Sequence, residues 1–329
     1  MLLGVGRRLA SGLVTLLLVT WVAFALIHAA PGDPLTSGDA DEERWFLTLT
    51  AEHQAEIRAL YHLDEPLLRQ YGWWLRDVVR GDLGLSFHDR RPVREKIGER
   101  LQTTLGINLV ALVLMAFLAL PAGGYAAWRP GGAWDRLSGA LGYALYAIPA
   151  FWAALLLQIV FSVKLGWLPL YGLISDGGER LGIAGRILDR AAHMVLPVVC
   201  LSYGGLAYLS RFVRASLLEN AFGEASRAAR ARGVSVARLL IRHGPRQASL
   251  PMLTLAGFVL PALVSGSVIV ETIFSIPGLG SLFTDAVLQR DVPVVMGLTL
   301  LSSVMTLAGV VAADLGYLLA DPRVRRVPG

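Results

Sequence analysis

Six long apolar segments constrain this chain of 329 residues more than any other feature of its sequence. Each could cross roughly 30 Å of hydrocarbon as a helix that rises ~1.5 Å per residue. The chain is 54% apolar and only 17% charged, which is too little charge to cover the surface of a soluble protein of this size. The sequence therefore predicts an all-α integral membrane protein with six transmembrane helices. The predicted spans are residues 9–30, 105–127, 137–161, 194–209, 252–270 and 292–319.

The distribution of arginine predicts how these helices are oriented. Membrane proteins keep lysine and arginine on the cytoplasmic side. Arginines outnumber acids at both termini, between spans two and three, and between spans four and five. The outer segments, chiefly 31–100 and 162–190, together carry at least as many acids as basic residues. Both termini are therefore predicted to lie in the cytoplasm. Because the arginines are spread over four separate segments, nucleic-acid binding is a poor alternative.

This topology divides the chain into three parts. Residues 1–30 form the first transmembrane helix, whose apolar run is longer than the ~7–15 residues of a secretory signal. Residues 31–100 form an extracytoplasmic helical segment. Residues 101–329 form a five-helix core that contains a cytosolic loop at 211–250.

The outer segment is predicted to fold into a small helical cap. Apolar residues recur at helical spacing over 51–63 and again over 66–79, where a proline suits the first turn. Trp73 and Trp74 are predicted at the level of the lipid headgroups. Such a cap either closes the bundle or docks a partner, and the sequence leaves both possibilities open.

The cytosolic loop between the fourth and fifth predicted spans is strongly basic, and only Glu219 and Glu224 oppose its positive charge. Gly233 divides two predicted helical stretches, and Ser235 is available as an N-cap for the second. A helical hairpin in a cytosolic loop favours docking of another protein. The alternative is a basic helix that lies on anionic lipid headgroups. The eight arginines of this region are Arg211, Arg214, Arg227, Arg230, Arg232, Arg238, Arg242 and Arg246.

The sequence shows no pattern that is typical of an active site. The only lysines are Lys96 and Lys164, and neither follows a glycine, so the chain has no Walker A motif. The single cysteine, Cys200, excludes CxxC motifs and disulfides within the chain. The six histidines have no metal-binding spacing. We therefore predict no catalytic residue, no metal site and no cofactor bound by this chain.

A few polar residues lie within or at the ends of the predicted spans. Glu271 ends the fifth span and Asp314 lies late in the sixth. A carboxylate in such a place is either an interfacial residue that only ends a helix or a functional group. Asn108 and Gln158 are neutral and are candidates for lining a pathway. A secondary transporter driven by protons would need several ionisable groups near the midplane, so it is the weaker alternative, together with a membrane scaffold.

A series of short motifs runs along nearly the whole chain. They include HAAPGDP (28–34), RGDLGLSF (80–87), IPAFW (148–152), KLGWLPLYG (164–172), RASLLE (214–219) and ETIFSIPGLGSLFTDAV (271–287). In their order and spacing, these motifs resemble those of permease subunits of bacterial ATP-binding-cassette (ABC) importers of the dipeptide, oligopeptide and nickel class. The resemblance implies a type I importer permease fold in the bacterial cytoplasmic membrane. It also implies that the chain forms half of a translocation pathway for peptides or related small solutes.

The same resemblance implies a set of partners. These are a second homologous permease, two ATP-binding-cassette ATPase subunits that carry the ATP and Mg, and an extracytoplasmic binding protein that delivers the solute. The lipid bilayer surrounds the permeases, and no nucleic acid is involved.

Residues 227–251 resemble the EAA-type motif with which such permeases dock on their ATPases. Ala228, Ala229 and Gly233 occupy its small positions, which let a helix approach a partner closely. Gly244-Pro245 departs from the family pattern and predicts an early end or a kink of the second helix. The ATPase-coupling residues that the resemblance implies are Glu224, Arg227, Ala228, Ala229, Arg230, Arg232 and Gly233.

The loop after the fifth span is the second candidate site. Pro277, Gly278 and Gly280 favour a turn that re-enters the pathway. In the resembled family this loop lies close to the place where the binding protein unloads. The resemblance therefore implies that Glu271 shapes the entrance or accepts a hydrogen bond from the gate.

Overall fold

In a computed structural model, the chain is described over residues 2–29, 64–222, 224–235, 257–264 and 266–320, and at positions 58, 238, 239, 253 and 255. These residues are mostly helical, with one short 3₁₀ turn at Gly178–Arg180. The α-helices among them are α1 (Leu2–Ala29), α2 (Leu67–Val79), α3 (Val93–Trp128), α4 (Ala133–Ala147), α5 (Ala150–Leu157), α6 (Ile183–Phe222), α7 (Glu224–Ala231), α8 (Val259–Val264), α9 (Val268–Ile273), α10 (Leu279–Leu288) and α11 (Val292–Ala320).

Four helices of the described residues are long and apolar enough to cross a membrane: α1, α3, α6 and α11. A fifth candidate is the pair formed by α4 and by α5 with its π-helical continuation Gln158–Lys164, which meet at a bend of 97°. By length and composition, the described part of the chain therefore holds four candidate spans, or five if the bent pair is one span. The predicted span at 252–270 lies partly outside the described residues.

Two helices extend beyond the predicted spans, because a run of apolar residues measures the hydrocarbon layer rather than the whole helix. The second predicted span, 105–127, lies within the longer helix α3, which begins at Val93, and the predicted domain boundary at residue 101 also lies inside α3. The fourth, predicted at 194–209, is part of the 40-residue helix α6. As a result, the first part of the predicted cytosolic loop is helical as far as Phe222.

The third predicted span, 137–161, is interrupted rather than continuous. α4 ends before Ile148, and α5 begins after Pro149. Proline has no N–H to donate and disfavours helical geometry in the residue before it. These two effects account for a helix break at this position.

α3 and α6 form the most extensive helix pair, and α4 packs against α6 on one side of it. At the crossing of α3 and α6, a Cβ on Gly123 would overlap the carbonyl oxygen of Ser210 and lie 2.9 Å from Cβ of Val213. Small residues at such crossings allow close backbone approach in membranes, where packing rather than hydrophobicity joins helices. α1 and α8 pack against α11.

The predicted helix at 66–79 is confirmed as α2, which packs on the C-terminal half of α1. The hydroxyl of Tyr71 lies 2.8 Å from Thr20 Oγ1 and donates to the carbonyl of Leu17 at 3.0 Å. Trp74, predicted at the headgroup level, stacks on Tyr71 with ring centroids 5.6 Å apart and packs against the buried residues that surround Phe24. The helix predicted at 51–63 lies outside the described residues apart from position 58.

Candidate functional site

A buried carboxylate, Glu271, links α9 to two other helices. Its side chain lies inside the protein, and the residue is only 5% exposed. Glu271 Oε1 accepts a hydrogen bond from Thr104 Oγ1 of α3 at 3.0 Å, and Oε2 accepts one from the backbone N–H of Ser281 at 2.9 Å. Glu271 is therefore a buried residue within α9 that contacts two other helices, and not an exposed charge at a helix end.

This carboxylate lies where the N-terminus of α10 presents backbone N–H groups that have no acceptor within the helix. The first N–H groups of a helix have no partner within the helix and carry partial positive charge. Thr104 Oγ1 accepts from the N–H of Leu279 at 2.8 Å, and Glu271 accepts from that of Ser281. Thr104 is itself buried. One carboxylate and one hydroxyl thus hold α3, α9 and α10 together.

Three glycines leave the space that this carboxylate fills. A Cβ on Gly278 would overlap the Glu271 carboxyl group, and one on Gly280 would lie 2.9 Å from Oε2. Gly266 has φ of +66°, and its Cβ would lie 2.9 Å from Oε1. Pro277 and Gly278 lie in the short connection between α9 and α10, and Gly280 lies in the first turn of α10. Whether the turn re-enters a pathway stays a prediction.

Replacing Gly278 by alanine should destabilise the protein, because the new methyl group would occupy the volume of the Glu271 carboxylate. Overpacking of this kind typically costs about 1–3 kcal/mol. The control is Gly106→Ala, since a Cβ at that helical position in α3 would meet no atom of the described chain within 4 Å. Thermal unfolding of the two variants in detergent should show a lower midpoint for Gly278→Ala only. Equal midpoints would contradict the packing described for Glu271.

Asn108 and Gln158, predicted as pathway candidates, both donate to backbone carbonyls at breaks between elements. Asn108 Nδ2 donates to the carbonyls of Ala262 and Leu263 at 3.2 and 3.0 Å. Gln158 Nε2 donates to those of Leu170 and Ile273 at 2.7 and 3.2 Å. Unsatisfied carbonyls are costly in a bilayer, so these side chains stabilise the ends of α8 and α9. Their role in lining a pathway stays a prediction.

Asp314, the other ionisable residue predicted within a span, lines a groove between α1 and α11 of about 420 Å³. Ser11 and Thr15 of α1 and Ser302 and Thr306 of α11 also line this groove. Asp314 therefore lies in a different part of the fold from Glu271.

Sequence reasoning missed a second buried carboxylate, Asp291, directly before α11. It is 1% exposed and accepts hydrogen bonds from Ser86 Oγ and from the backbone N–H of Phe87, the latter at 3.0 Å. Lys96 Nζ lies 3.9 Å from Asp291 Oδ2 and 2.9 Å from Asp89 Oδ2. Burial acts to raise the pKa of Asp89, but hydrogen bonds from Lys96 and Ser86 outweigh it and hold the pKa below its usual value. The sequence signal that could have identified Asp291 is its position directly before the apolar run of α11.

The basic segment after α6 shows the predicted first helical stretch and the break at Gly233, whereas the second predicted stretch lies outside the described residues apart from positions 238 and 239. Gly233 ends the α7 region with φ of +85°, and its N–H donates to the carbonyl of Arg230 at 2.9 Å. Ser235 then accepts from the N–H of Arg238 at 3.4 Å, as expected of an N-cap. A Cβ on Gly233 would meet no described atom within 4 Å. Glycine is therefore required by the backbone conformation and not by contacts within the described chain.

The coupling residues predicted around Gly233 lie at the surface where their side chains are described. Arg227, Ala228, Arg230 and Arg232 are exposed. The side chains of Glu224 and Ala229 lie outside the described residues, as do Gly244 and Pro245. Exposure is what docking on a partner needs, and the docking role itself stays a prediction.

Comparison with known families covers almost the whole chain. The model of the family described as binding-protein-dependent transport system inner membrane component matches residues 119–326, and the model of its N-terminal part matches residues 1–108. The chain belongs to this family. It is thus a multi-pass permease of the inner membrane. The first match contains both the Gly233 segment and Glu271, and the second contains Thr104.

Individual relatives are similar to this permease over nearly their full length. It is 37% identical to the oligopeptide transport system permease protein AppB of Bacillus subtilis, over 97% of this chain and 98% of the relative. It is 34% identical to the dipeptide transport system permease protein DppB of Escherichia coli, over 97% of each chain. It is 32% identical to the oligopeptide transport system permease protein OppB of Haemophilus influenzae, over 97% of this chain and 98% of the relative.

Proposed function

We propose that this permease is one of two homologous membrane subunits of an ATP-driven importer and forms half of its translocation pathway. The observation that carries the proposal is the segment α7–Gly233–Ser235, which follows the long helix α6 in the chain and exposes Arg227, Arg230 and Arg232. A soluble partner that binds such a surface can displace the membrane helices that adjoin it. Membership of a binding-protein-dependent transport family supports this interpretation.

The cargo that we propose is a peptide. The relatives similar to this chain over almost its full length are named for oligopeptide and dipeptide transport. An extracytoplasmic binding protein would select the peptide and deliver it to the permease. Nickel chelates and other small solutes are the alternatives within the same class.

The partner ATPases would hydrolyse the ATP, and this chain would be non-catalytic. Two ATPase subunits would bind ATP and Mg, one of them against the α7 segment of each permease. The permease itself would bind no cofactor. Among the described residues there is no group of three or more potential metal ligands, and the absence of a metal from the whole chain stays a prediction.

The contacts of α6 suggest how motion would cross the membrane. α6 is 40 residues long, or ~60 Å at ~1.5 Å per residue. It leads into α7 at one end and packs against α3, α4, α5 and α9 along its length. α9 carries Glu271. Displacement of α7 by closing ATPases would therefore be carried by α6 to the helices that surround this carboxylate, as a rigid-body transition.

The proposed topology has six spans and both termini in the cytoplasm. Two single cysteines, Arg180→Cys and Ser235→Cys, test it in a Cys200→Ser background. Because the α7 segment would face the cytoplasm, an impermeant thiol reagent added to sealed cells should label position 180 and leave position 235 unlabelled. Permeabilised cells serve as the control, in which both should react. Labelling of position 235 in sealed cells would overturn the orientation.

Uptake into proteoliposomes tests the function directly. The permease, its partner permease and the ATPases are reconstituted, and labelled di- and oligopeptides are offered with the binding protein. We expect accumulation that requires both ATP hydrolysis and the binding protein. Accumulation driven by a proton gradient alone would instead indicate a secondary transporter, and no accumulation of any solute would indicate a scaffold.

A further inference from the structure

Asp135, in the first turn of α4, is held between two arginines of α6. The residue is 6% exposed. Arg214 binds both carboxylate oxygens, with Nε 2.5 Å from Oδ1 and Nη2 2.7 Å from Oδ2. Arg211 Nη1 donates to Oδ1 at 3.1 Å, and the backbone N–H of Gly131 donates to Oδ2 at 2.9 Å. Both arginines fall in the predicted cytosolic loop 211–250, and the structure places them in α6, where their side chains contact Asp135.

The surroundings of Arg211 are shaped around its guanidinium group. Nη2 donates to Ser138 Oγ at 2.6 Å, and Nη1 also lies 3.3 Å from the carbonyl of Asp135. A Cβ on Gly139 would come within 3.1 Å of Nη1. An alanine at this position would require the guanidinium group to shift by a few tenths of an ångström. Asp135, Ser138, Arg211 and Arg214 make up what we call the α4–α6 clamp.

A clamp of this kind fixes geometry more than it raises stability. A buried ion pair gains little over an apolar replacement of the same shape, since desolvation offsets the attraction. Forked bonds from arginine to carboxylate nevertheless allow only one relative placement of the two groups. The clamp therefore sets the register and orientation of α4 against α6.

The clamp lies where force would enter the membrane domain. Arg214 and Arg211 precede the end of α6 at Phe222 by two to three helical turns, or ~12–17 Å. α7 begins at Glu224. We propose that the α4–α6 clamp is a positioning device that makes α4 move as one body with α6 when α7 is displaced. The inference rests on the proposed importer function and extends it to residues outside the coupling segment.

Single substitutions test whether the clamp affects coupling. The matched pair is Arg214→Gln and Arg136→Gln, since both remove one positive charge near Asp135, but the exposed side chain of Arg136 donates to the carbonyl of Gly131 instead. Peptide transported per ATP hydrolysed should fall by roughly fivefold or more in Arg214→Gln and Asp135→Asn, as expected when a coupling contact between sites is lost. It should stay unchanged in Arg136→Gln. Arg214→Lys keeps the charge but cannot form two parallel hydrogen bonds with the Asp135 carboxylate, so it should also lower the amount of peptide transported per ATP hydrolysed.

Complex assembly is measured in parallel by recovery of the ATPases with the tagged permease. An unchanged ratio of transport to hydrolysis in assembled Asp135→Asn complexes would overturn the inference. A wild-type complex whose ATPase subunits do not respond to loaded binding protein would instead overturn the proposed function, so the two failures are distinguishable.

A covalent tether gives a test that does not depend on tolerance of Asp135 variants. A Cβ on Gly142 of α4 would lie 3.8 Å from Cβ of Ala207 of α6, which is about the ~3.8 Å of a disulfide. The double variant Gly142→Cys/Ala207→Cys in Cys200→Ser is oxidised with copper phenanthroline. If α4 and α6 move as one body, the cross-linked complex should transport peptide at the rate of the reduced complex. In Asp135→Asn, oxidation should restore the transport-to-hydrolysis ratio, and reduction should lower it again. Loss of transport on cross-linking would show that the helices separate during the cycle and would contradict the inference.

Discussion

Uptake should be lost in Gly233→Glu, although the permease still inserts into the membrane and the bundle still folds. Gly233 has φ of +85°, a conformation that costs a residue with a side chain about 1–2 kcal/mol. The glutamate would also place bulk and negative charge on the exposed face that we propose as the ATPase contact. Uptake and stimulation of the ATPases by loaded binding protein are the measurements, with the amount of permease in the membrane as reference.

Two control variants separate strain from docking. Gly81 lies in the loop after α2 and also has positive φ, at +81°, and a Cβ there would meet no atom of the described residues within 4 Å. Gly81→Glu should therefore carry the same backbone strain and keep most uptake. Gly233→Asn, which tolerates the left-handed region, should lose less uptake than Gly233→Glu. Normal uptake and normal ATPase stimulation in Gly233→Glu would show that this segment does not couple the subunits.

Glu271→Gln should impair uptake or uncouple ATP hydrolysis from transport. The amide keeps the shape of the side chain but has only one acceptor oxygen, so one of the two donors, the hydroxyl of Thr104 or the N–H of Ser281, loses its acceptor. Hydrogen bonds to charged groups contribute about 1.5–3 kcal/mol, and here the loss loosens the junction of α3, α9 and α10. Reconstituted complexes provide both readouts, the rate of uptake and the ATP consumed per peptide.

Matched variants place this effect at the buried carboxylate. Asp285→Asn removes the same charge from an exposed position of α10, where charges contribute under ~1 kcal/mol, and should behave as wild type. Thr104→Ser keeps the hydroxyl and should be mild, whereas Thr104→Val should resemble Glu271→Gln. Wild-type transport with wild-type coupling in Glu271→Gln would leave this residue with a role in helix packing alone.

Local features of the fold could be predicted because their causes lie within a few residues. The apolar run at 292–319 predicts α11, and Pro66 followed by helical spacing predicts α2. Gly233 predicts a break, since few other residues adopt its backbone conformation. In each case the signal and the structure that it determines occupy the same segment.

Prolines show where local signals fail. Pro121 and Pro197 lie inside the continuous helices α3 and α6, whereas Pro149 marks the 97° bend between α4 and α5. The residue type is the same at all three positions. Packing against neighbouring helices decides whether the freed carbonyl finds another donor, and that packing cannot be read from the run of residues itself.

The candidate site contains some residues that local sequence signals predict and others whose contacts depend on helix packing. The sequence pointed to Glu271 and to the turn after it, but not to Thr104, which is 167 positions away along the chain. The contact of Ser86 with Asp291 spans 205 positions. The sequence does not separate Arg211 and Arg214 from the other arginines of the loop, because charge alone cannot distinguish a solvated face from one that contacts a buried aspartate. Such pairings are set by how the helices pack.

Recovery of the native complex from the membrane tests the central claim most directly. The permease is tagged at its C-terminus, extracted in mild detergent, and the mass and composition of the purified particle are determined. We expect one copy of this permease, one homologous permease and two ATPase subunits. Loaded binding protein should stimulate the ATPase activity of this particle, and the stimulation should be lost in Gly233→Glu. A particle that transports solute without any ATPase subunit would contradict the proposed function.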